Sequence, residues 1–399
     1  MQSDIRKELI KGIFAIRTQG EFEDMALRVF SYQCGNNELY RTYLDILGID
    51  PSSVDRISRI PCLPVSFFKT HAVYTGTAPG EKVFRSSGTG RGSGAANPGS
   101  GNTSGNSRTG DGSRAANPET GFPSGSSGTG SANPGSGNTS GNSRTGDGSR
   151  VASSGTAPAV RSAHYVADTA LYEKSYLRCF EIFYGDPAGY CFLALLPSYL
   201  ERGDSSLVYM AGGLIRKSGR PESGFYLDDL DSLASVIRSN EKRGIKTFLL
   251  GVSFALLDLF GRYGFRLGNT IVAETGGMKG KRKEITREEL HDLIRRGSGL
   301  QHIHSEYGMT ELLSQAWSRS GGIFHTPPWM KVMIRDAYDP FSCLEQGRSG
   351  GVNIIDLANI DSCAFIETAD LGRMHPGGGF EILGRFDNAD LRGCNLLSE

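Results

Sequence analysis

The sequence predicts an α/β fold of mixed sheets and helices with a β-rich C-terminal part. Three observations lead there. From about residue 160, short apolar runs of strand length alternate with longer stretches of helical periodicity. From Ile303 onward the pattern changes to short strands and turns. Residues 1 to about 60 carry a helical pattern of their own.

In that first segment Ile5, Leu9, Ile13 and Ile16 lie near one helical face, and Glu38 to Leu47 suggests a further helix, so 1–60 is read as a helical packing subdomain before a core spanning 61–399. The Pro61-Cys62-Leu63-Pro64-Val65 run marks the turn into that core. Phe67 to Val73 and Lys82 to Arg85 are strand candidates. After Arg161 to Val166, Asp168 is placed to cap a helix over Thr169 to Tyr184. Cys191 to Leu196 reads as a buried strand, Asp228 to Arg238 as a helix, and Thr247 to Val252 as a strand followed by a helix through Leu256, Leu257 and Phe260. Thr270 to Ala273 is a strand running into Glu274-Thr275-Gly276-Gly277. Thr286-Arg287-Glu288-Glu289 is a capping box for a helix with Leu290, Leu293 and Ile294 on one face. Phe380 to Leu383 is a late strand.

Residues 90–152 interrupt the core. Asn97 to Arg114 recurs letter for letter as Asn133 to Arg150, and between Ser86 and Arg150 the only large apolar residue is Phe122. Such a composition buries too little surface to offset its ordering entropy, which predicts a disordered loop. Closure cost grows only logarithmically with length, so a hairpin tip tolerates the insertion. The repeat has no apolar positions to stack and is not a solenoid.

Lys+Arg and Asp+Glu are 43 each in a chain of 399 residues, so there is no basic excess to mark a nucleic-acid footprint. The seven cysteines are scattered without a CxxC pair, which disfavours metal and disulfide frameworks and fits a reducing cytoplasm. The N-terminus is amphipathic and charged, unlike a signal peptide, and the longest apolar stretch, Phe248 to Phe260, is too short to span a bilayer.

Several stretches carry chemistry. Ser86-Ser87-Gly88-Thr89-Gly90 leaves the Lys82 to Arg85 strand as a small-residue loop able to cradle phosphate through backbone N–H groups and hydroxyls. The tetrapeptide recurs at Ser126 to Thr129 and Ser153 to Thr156, so which copy does so is open, with the first favoured by its upstream strand. His304-Ser305-Glu306-Tyr307-Gly308-Met309-Thr310-Glu311 puts an aromatic, a glycine turn, a hydroxyl and a carboxylate within five residues, a set able to stack a base, donate to phosphate and hold magnesium; a capped turn is the plainer alternative. Glu367 to Arg373 places Asp370 on a turn after an apolar strand, and Gly384-Arg385-Phe386-Asp387 follows another strand.

In order and spacing these four stretches resemble the signature motifs of the adenylate-forming enzyme superfamily. With Arg161 to Asp168, Gly276 to Gly280 and the ending Leu391-Arg392-Gly393-Cys394-Asn395-Leu396-Leu397, the chain is similar to acyl-protein synthetases, the long-chain-fatty-acid–luciferin-component ligases. The resemblance runs from about residue 60 to the end, the repeat tract excepted. It implies the large domain of that superfamily without the usual extra lysine-bearing C-terminal domain. It also implies ATP and Mg2+ as partners in the activation of a fatty or other carboxylic acid. Ser86, Ser87, Gly88 and Thr89 then match the phosphate loop, Gly276 and Gly277 the glycines near adenine, and Tyr307 with Gly308 the adenine-facing turn. Thr310 would reach the α-phosphate, Glu311 would bind magnesium, Asp370 would take the ribose hydroxyls, and Arg385 would reach ribose or phosphate. Cys394 would accept the acyl group and hand it to a partner protein, a reductase or carrier.

The sequence departs from that pattern at the loop, which lacks the family's second Thr. Transfer to coenzyme A or a carrier, and an insertion-disabled binding protein, remain alternatives. Gly347-Arg348-Ser349-Gly350-Gly351 fits a hydrolase elbow, but a strand-like run follows it where a helix is required, so it reads as a hairpin turn. His164 and His304 lack metal-ligand spacing and read as structural or substrate-lining.

Overall fold

The computed structural model describes residues 2–77, 80–87, 160–197, 203–276 and 285–386. Met1–Gly90 and Ala159–Glu399 fall in one compact unit. The repeat tract and the second and third Ser-Ser-Gly-Thr copies lie outside the described residues.

Three helices begin that unit: α1 (Gln2–Ile13), α2 (Gln19–Asn36) and α3 (Glu38–Ile46). Thr18 and Glu21 cap α2 reciprocally, satisfying N–H groups that a helix start leaves orphaned. Leu9, Ile13 and Ile16 are buried as their spacing predicts, whereas Ile5 is exposed. Gln33 of α2 is fully buried. Its amide nitrogen donates to the carbonyls of Asn359, Ile360 and Ser362, and its Oε1 accepts from the Ala364 N–H.

Next come β1 (Leu63–Pro64), α4 (Phe67–Thr70), β2 (Lys82–Arg85), β3 (Ala163–Val166) and α5 (Thr169–Tyr184). The strand expected over Phe67 to Val73 is instead the single turn α4. Phe68, Lys69 and His71 satisfy their N–H groups on Val65, Ser66 and Phe67, while Phe68 still reaches the core. The strand lies just upstream, where β1 has a partner. Strands β2 and β3 form an antiparallel hairpin, Lys82 opposite Val166 and Arg85 opposite Ala163, with the insert between them. Asp168 caps α5 through the N–H groups of Ala170 and Leu171.

The central part alternates: β4 (Cys191–Leu195), α6 (Ser206–Ser218), β5 (Gly224–Phe225), α7 (Leu230–Arg243), β6 (Thr247–Val252), α8 (Ser253–Arg262), β7 (Thr270–Thr275), α9 (Arg287–Ser298), β8 (His304–Tyr307) and β9 (Ala316–Ser318). The strands form one sheet in the order β5-β4-β6-β7-β8-β9, parallel except at the β8–β9 edge. Every residue of β4 and β6 is buried, as continuous apolar strands covered on both faces should be. The Thr286 capping box forms as expected, and α9 turns Leu290 and Ile294 inward while Leu293 stays exposed.

The β-rich part holds β10 (Met330–Arg335), β11 (Ser349–Asp356), β12 (Phe365–Met374) and β13 (Phe380–Arg385). Its sheet runs β1-β12-β11-β10, with β13 also on β12. Asp370, expected on a turn, lies inside β12, and Arg385, expected after a strand, is the last residue of β13. The two are register partners, because ladder pairing continues past the apolar residues that marked the strands. Gly347 has φ +85° and Ser349 opens β11, so the elbow-like run is a hairpin connection with a strand after it. No helix among the described residues is long and apolar enough to cross a membrane.

Candidate active site

In open parallel sheets, ligands sit beyond the carboxyl ends of the strands. The carboxyl ends of β6, β7 and β8 bring Ser253, Gly276 and Tyr307 to that edge. Ser253 Oγ donates to the Gly276 carbonyl at 2.6 Å and to Glu274 Oε2 at 3.3 Å. Gly276 has φ +66°, a left-handed turn that a side chain would strain. Burial pushes the Glu274 carboxyl up, but His291 and Arg287, the latter with Nε at 3.2 Å, hold it below its ordinary value. Gly277 lies outside the described residues.

Tyr307 joins the two sheets. Its hydroxyl donates to Asp370 Oδ2 at 2.7 Å, and its ring packs against Phe324 and Phe380 at centroid distances of 5.8 and 5.7 Å. Burial and the neighbouring Asp370 push the phenol well above its usual value, so it stays a neutral donor. Asp370 is itself raised by burial, with the Tyr307 hydrogen bond and Arg385 opposing. Arg385 Nε stands 3.3 Å from Asp370 Oδ1, and its side chain is 71% exposed, a pair that a ligand can displace at little cost. At Gly308 a Cβ would collide with Glu306 Oε1, which explains the glycine in this turn.

Glu311 is 5% exposed. Burial lifts its carboxyl above the ordinary value, with neighbouring Ser162 and Arg385 opposing. Ser162 in turn is tied to Ser86: Ser86 N–H donates to the Ser162 carbonyl, and Ser162 N–H donates to Ser86 Oγ, each at 3.0 Å. The first Ser-Ser copy is thereby fixed to the strand that leads on to the next helix. Arg161 reinforces the junction, donating to the Ser86 carbonyl and pairing with Asp204 at 3.1 Å. Gly88 and Thr89 lie outside the described residues.

Thr310 is half-buried. His164 Nδ1 stands 2.9 Å from its carbonyl, leaving the hydroxyl without a partner among the described residues. Burial lowers the His164 imidazole to about 4, so this histidine is a neutral donor that positions the turn. From the other side Asp356 clamps the same turn. Its carboxylate accepts from the N–H groups of Leu313, Ser314 and Ala358 and from Ser314 Oγ. Asn359 Nδ2 adds a 2.7 Å bond to the Glu311 carbonyl. Sequence reasoning gave Ser162, Asp356 and Asn359 no role. Their only local signal is a polar residue beside a strand end.

The structure therefore joins Ser86 to Ser162, and Tyr307 and Arg385 to Asp370, with Glu311, Gly308 and Thr310 on the turn that follows Tyr307 and Gly276 at the neighbouring strand end. Ser87 follows Ser86 at the exit of β2. Cys394 and Asp387 lie outside the described residues. Among the described residues no group of three or more His, Cys, Asp or Glu side chains is placed to hold a metal by itself. The donor set still fits Mg2+ brought with a nucleotide, since that ion takes one or two carboxylates plus phosphate oxygens, and Glu311 is a buried carboxylate in need of a cation.

No protein-family model matches the sequence, and no curated protein matches it. Solved structures do. ATP-bound MatB from Rhodopseudomonas palustris is 16% identical with a TM-score of 0.42, over 54% of this chain and 44% of that one. A long-chain-fatty-acid-CoA ligase from Archaeoglobus fulgidus is 15% identical with a TM-score of 0.41, over 54% and 47%. The o-succinylbenzoate CoA synthetase of Bacillus subtilis, in complex with AMP, is 16% identical with a TM-score of 0.41, over 58% and 48%. The chain thus spans about half the length of these proteins.

Proposed function

We propose that this chain activates a carboxylic acid, a fatty acid foremost, by ATP-dependent adenylation and then passes the acyl group to a thiol. One observation carries the reading. Residues distant in sequence meet there: Ser86 and Ser162 exchange hydrogen bonds, Tyr307 and Arg385 converge on Asp370, and Glu311 is buried on the turn that Tyr307 opens. The names of the similar solved structures point the same way, to acid–CoA ligases and to ATP and AMP as their ligands.

In the first half-reaction a carboxylate oxygen attacks the α-phosphorus, the bond to the bridging oxygen breaks, and pyrophosphate leaves with the electron pair. No proton has to be removed, so the protein's work is placement and charge. Ser86 and Ser87, with Gly88 and Thr89, are assigned to the polyphosphate and the Thr310 hydroxyl to the α-phosphate. Glu311 is assigned to Mg2+, which supplies neutralisation of phosphate charge. Tyr307, Gly308, Gly276 and Gly277 are assigned to adenine, and Asp370 and Arg385 to ribose, where a hydroxyl would replace the loose ion pair.

In the second half-reaction a thiolate attacks the acyl carbonyl and the carbonyl C–O bond to AMP breaks, conserving reactivity in a thioester. We assign that thiol to Cys394, making the chain an acyl-protein ligase that feeds a partner reductase or carrier in the cytoplasm. ATP–pyrophosphate exchange with medium- and long-chain acids and Mg2+ tests the first half-reaction. Acid-dependent exchange is expected. Its absence with every acid sinks the adenylation reading.

A further inference from the structure

A cavity of 330 Å³ lies away from the nucleotide candidates, between the segment that follows α3 and the five-stranded sheet. That volume falls at the lower end of small-molecule sites, roughly 300–1,000 Å³. Its walls are apolar where Tyr43, Ile60, Met333 and Phe341 line it, and Glu367 of β12 supplies a carboxylate to the lining.

The state of that carboxylate decides what fits. Glu367 is half-buried and neither oxygen accepts a hydrogen bond among the described residues; its partner is Arg335, with Nη2 at 3.3 Å from Oε1. Arg335 is committed elsewhere. Its Nη1 donates to the Val352 carbonyl at 3.1 Å and to Asn353 Oδ1 at 3.0 Å, and its Nη2 donates to the Thr368 carbonyl at 2.9 Å. Glu367 therefore keeps Oε2 without a donor among the described residues, while Oε1 faces an Arg335 whose N–H groups are shared with three other acceptors. A hydroxyl offers one donor, whereas an ammonium offers three and a full charge. The other charged lining group, Arg59, is exposed and already faces Asp55 at 3.5 Å.

We infer that this cavity binds a small amphipathic primary amine, its ammonium against Glu367 and its apolar tail against Tyr43, Met333 and Phe341.

Cys343 lines the same cavity and is exposed, so it reports occupancy. The full chain is treated with methyl methanethiosulfonate, and the rate of thiomethylation at Cys343 is followed by mass spectrometry of its peptide. The probes are n-hexylamine, hexan-1-ol and hexanoate, at one pH and without nucleotide. Saturating hexylamine is expected to slow Cys343 modification at least fivefold, with hexanol and hexanoate leaving it within twofold. Glu367→Gln should abolish the protection. Ser58→Trp, which fills the cavity from an exposed lining position, should abolish it as well and decides the matter if the first variant fails to fold. Equal protection by hexanol, no protection by hexylamine, or protection that survives either folded variant overturns the assignment. No ATP enters this assay, so its failure leaves the adenylation reading untouched, and failed pyrophosphate exchange leaves this site untouched.

Discussion

Ser86 and Ser162 face each other across the mouth of the β2–β3 hairpin and exchange two hydrogen bonds of 3.0 Å. They stand on either side of the insert, so the hairpin is closed before the repeat tract begins. The first Ser-Ser copy is thereby fixed to β2 and to Ser162.

That closure predicts that the insert is dispensable. Joining Thr89 to Val160 through a short Thr-Gly linker shortens the connection about tenfold, which in loop-closure terms stabilises the fold by about 2 kcal/mol. Chemical denaturation should show a higher midpoint, and pyrophosphate exchange should be preserved or raised. A lower midpoint would mean that the tract packs on the body.

Tyr307→Phe tests the bridge between the two sheets. The variant keeps the ring contacts with Phe324 and Phe380 but leaves Asp370, 9% exposed, without its donor. A buried acceptor stripped of its partner costs about 1–3 kcal/mol. The unfolding free energy should fall by that amount, seen as a lower urea midpoint at unchanged slope, and ATP affinity should drop several-fold. Unchanged stability would show that water replaces the phenol and that Tyr307 does not order Asp370.

Glu311→Gln separates charge from shape. Burial raises this carboxyl in the folded chain, so folded protein holds its proton more tightly than unfolded protein. The Glu311 contribution to stability is therefore lost as pH rises from the unfolded value through the raised folded one, and it returns on acidification. The variant should lack this slope and equal or exceed wild type at pH 8 in thermal melts. Magnesium binding runs the other way, because it needs the ion. Mg2+-dependent ATP binding by wild type should weaken as pH falls through the raised value, and the variant should bind about tenfold more weakly above that value and converge with wild type below it. Unaltered magnesium dependence in Glu311→Gln would leave only a capped turn.

What was legible in the sequence follows from what is local. Thr286 and Glu289 announce α9 because a capping box is a contact across three residues. Thr247 to Val252 reads as a strand because burial on both faces leaves a continuous apolar run. Helix α6 escaped because Gly212 and Gly213 blunt its helical signal, and Gly213 is required by a tertiary contact: a Cβ there would collide with the Tyr176 hydroxyl. Asp370 was assigned to a turn because its polar neighbours hide a ladder that depends on β13. The site divides the same way. Tyr307, Thr310, Glu311, Asp370 and Arg385 were visible as motifs, whereas Asp356 and Ser162 act through partners more than forty residues away in sequence. The energetics of such residues belong to the folded chain.

Cys394 carries the last expectation, on a thiol outside the described residues. Five of the seven cysteines, Cys34, Cys62, Cys179, Cys191 and Cys363, are buried. Burial lifts the Cys363 thiol to about 12 and raises Cys191 as well, so neither offers a thiolate at neutral pH. Cys343 is exposed but lies in the amine cavity, whose lining includes none of the residues assigned to the nucleotide. None of the described cysteines is a ready acceptor, and we propose Cys394, the position that the resemblance indicates, as the one that receives the acyl group. Cys394→Ser should keep acid-dependent pyrophosphate exchange at the wild-type rate and lose hydroxylamine-sensitive labelling by radioactive fatty acid. Cys343→Ser should keep both. Thioester labelling that survives in Cys394→Ser would move the acceptor elsewhere in the chain, and rapid turnover with added coenzyme A in that variant would make the acceptor a free thiol.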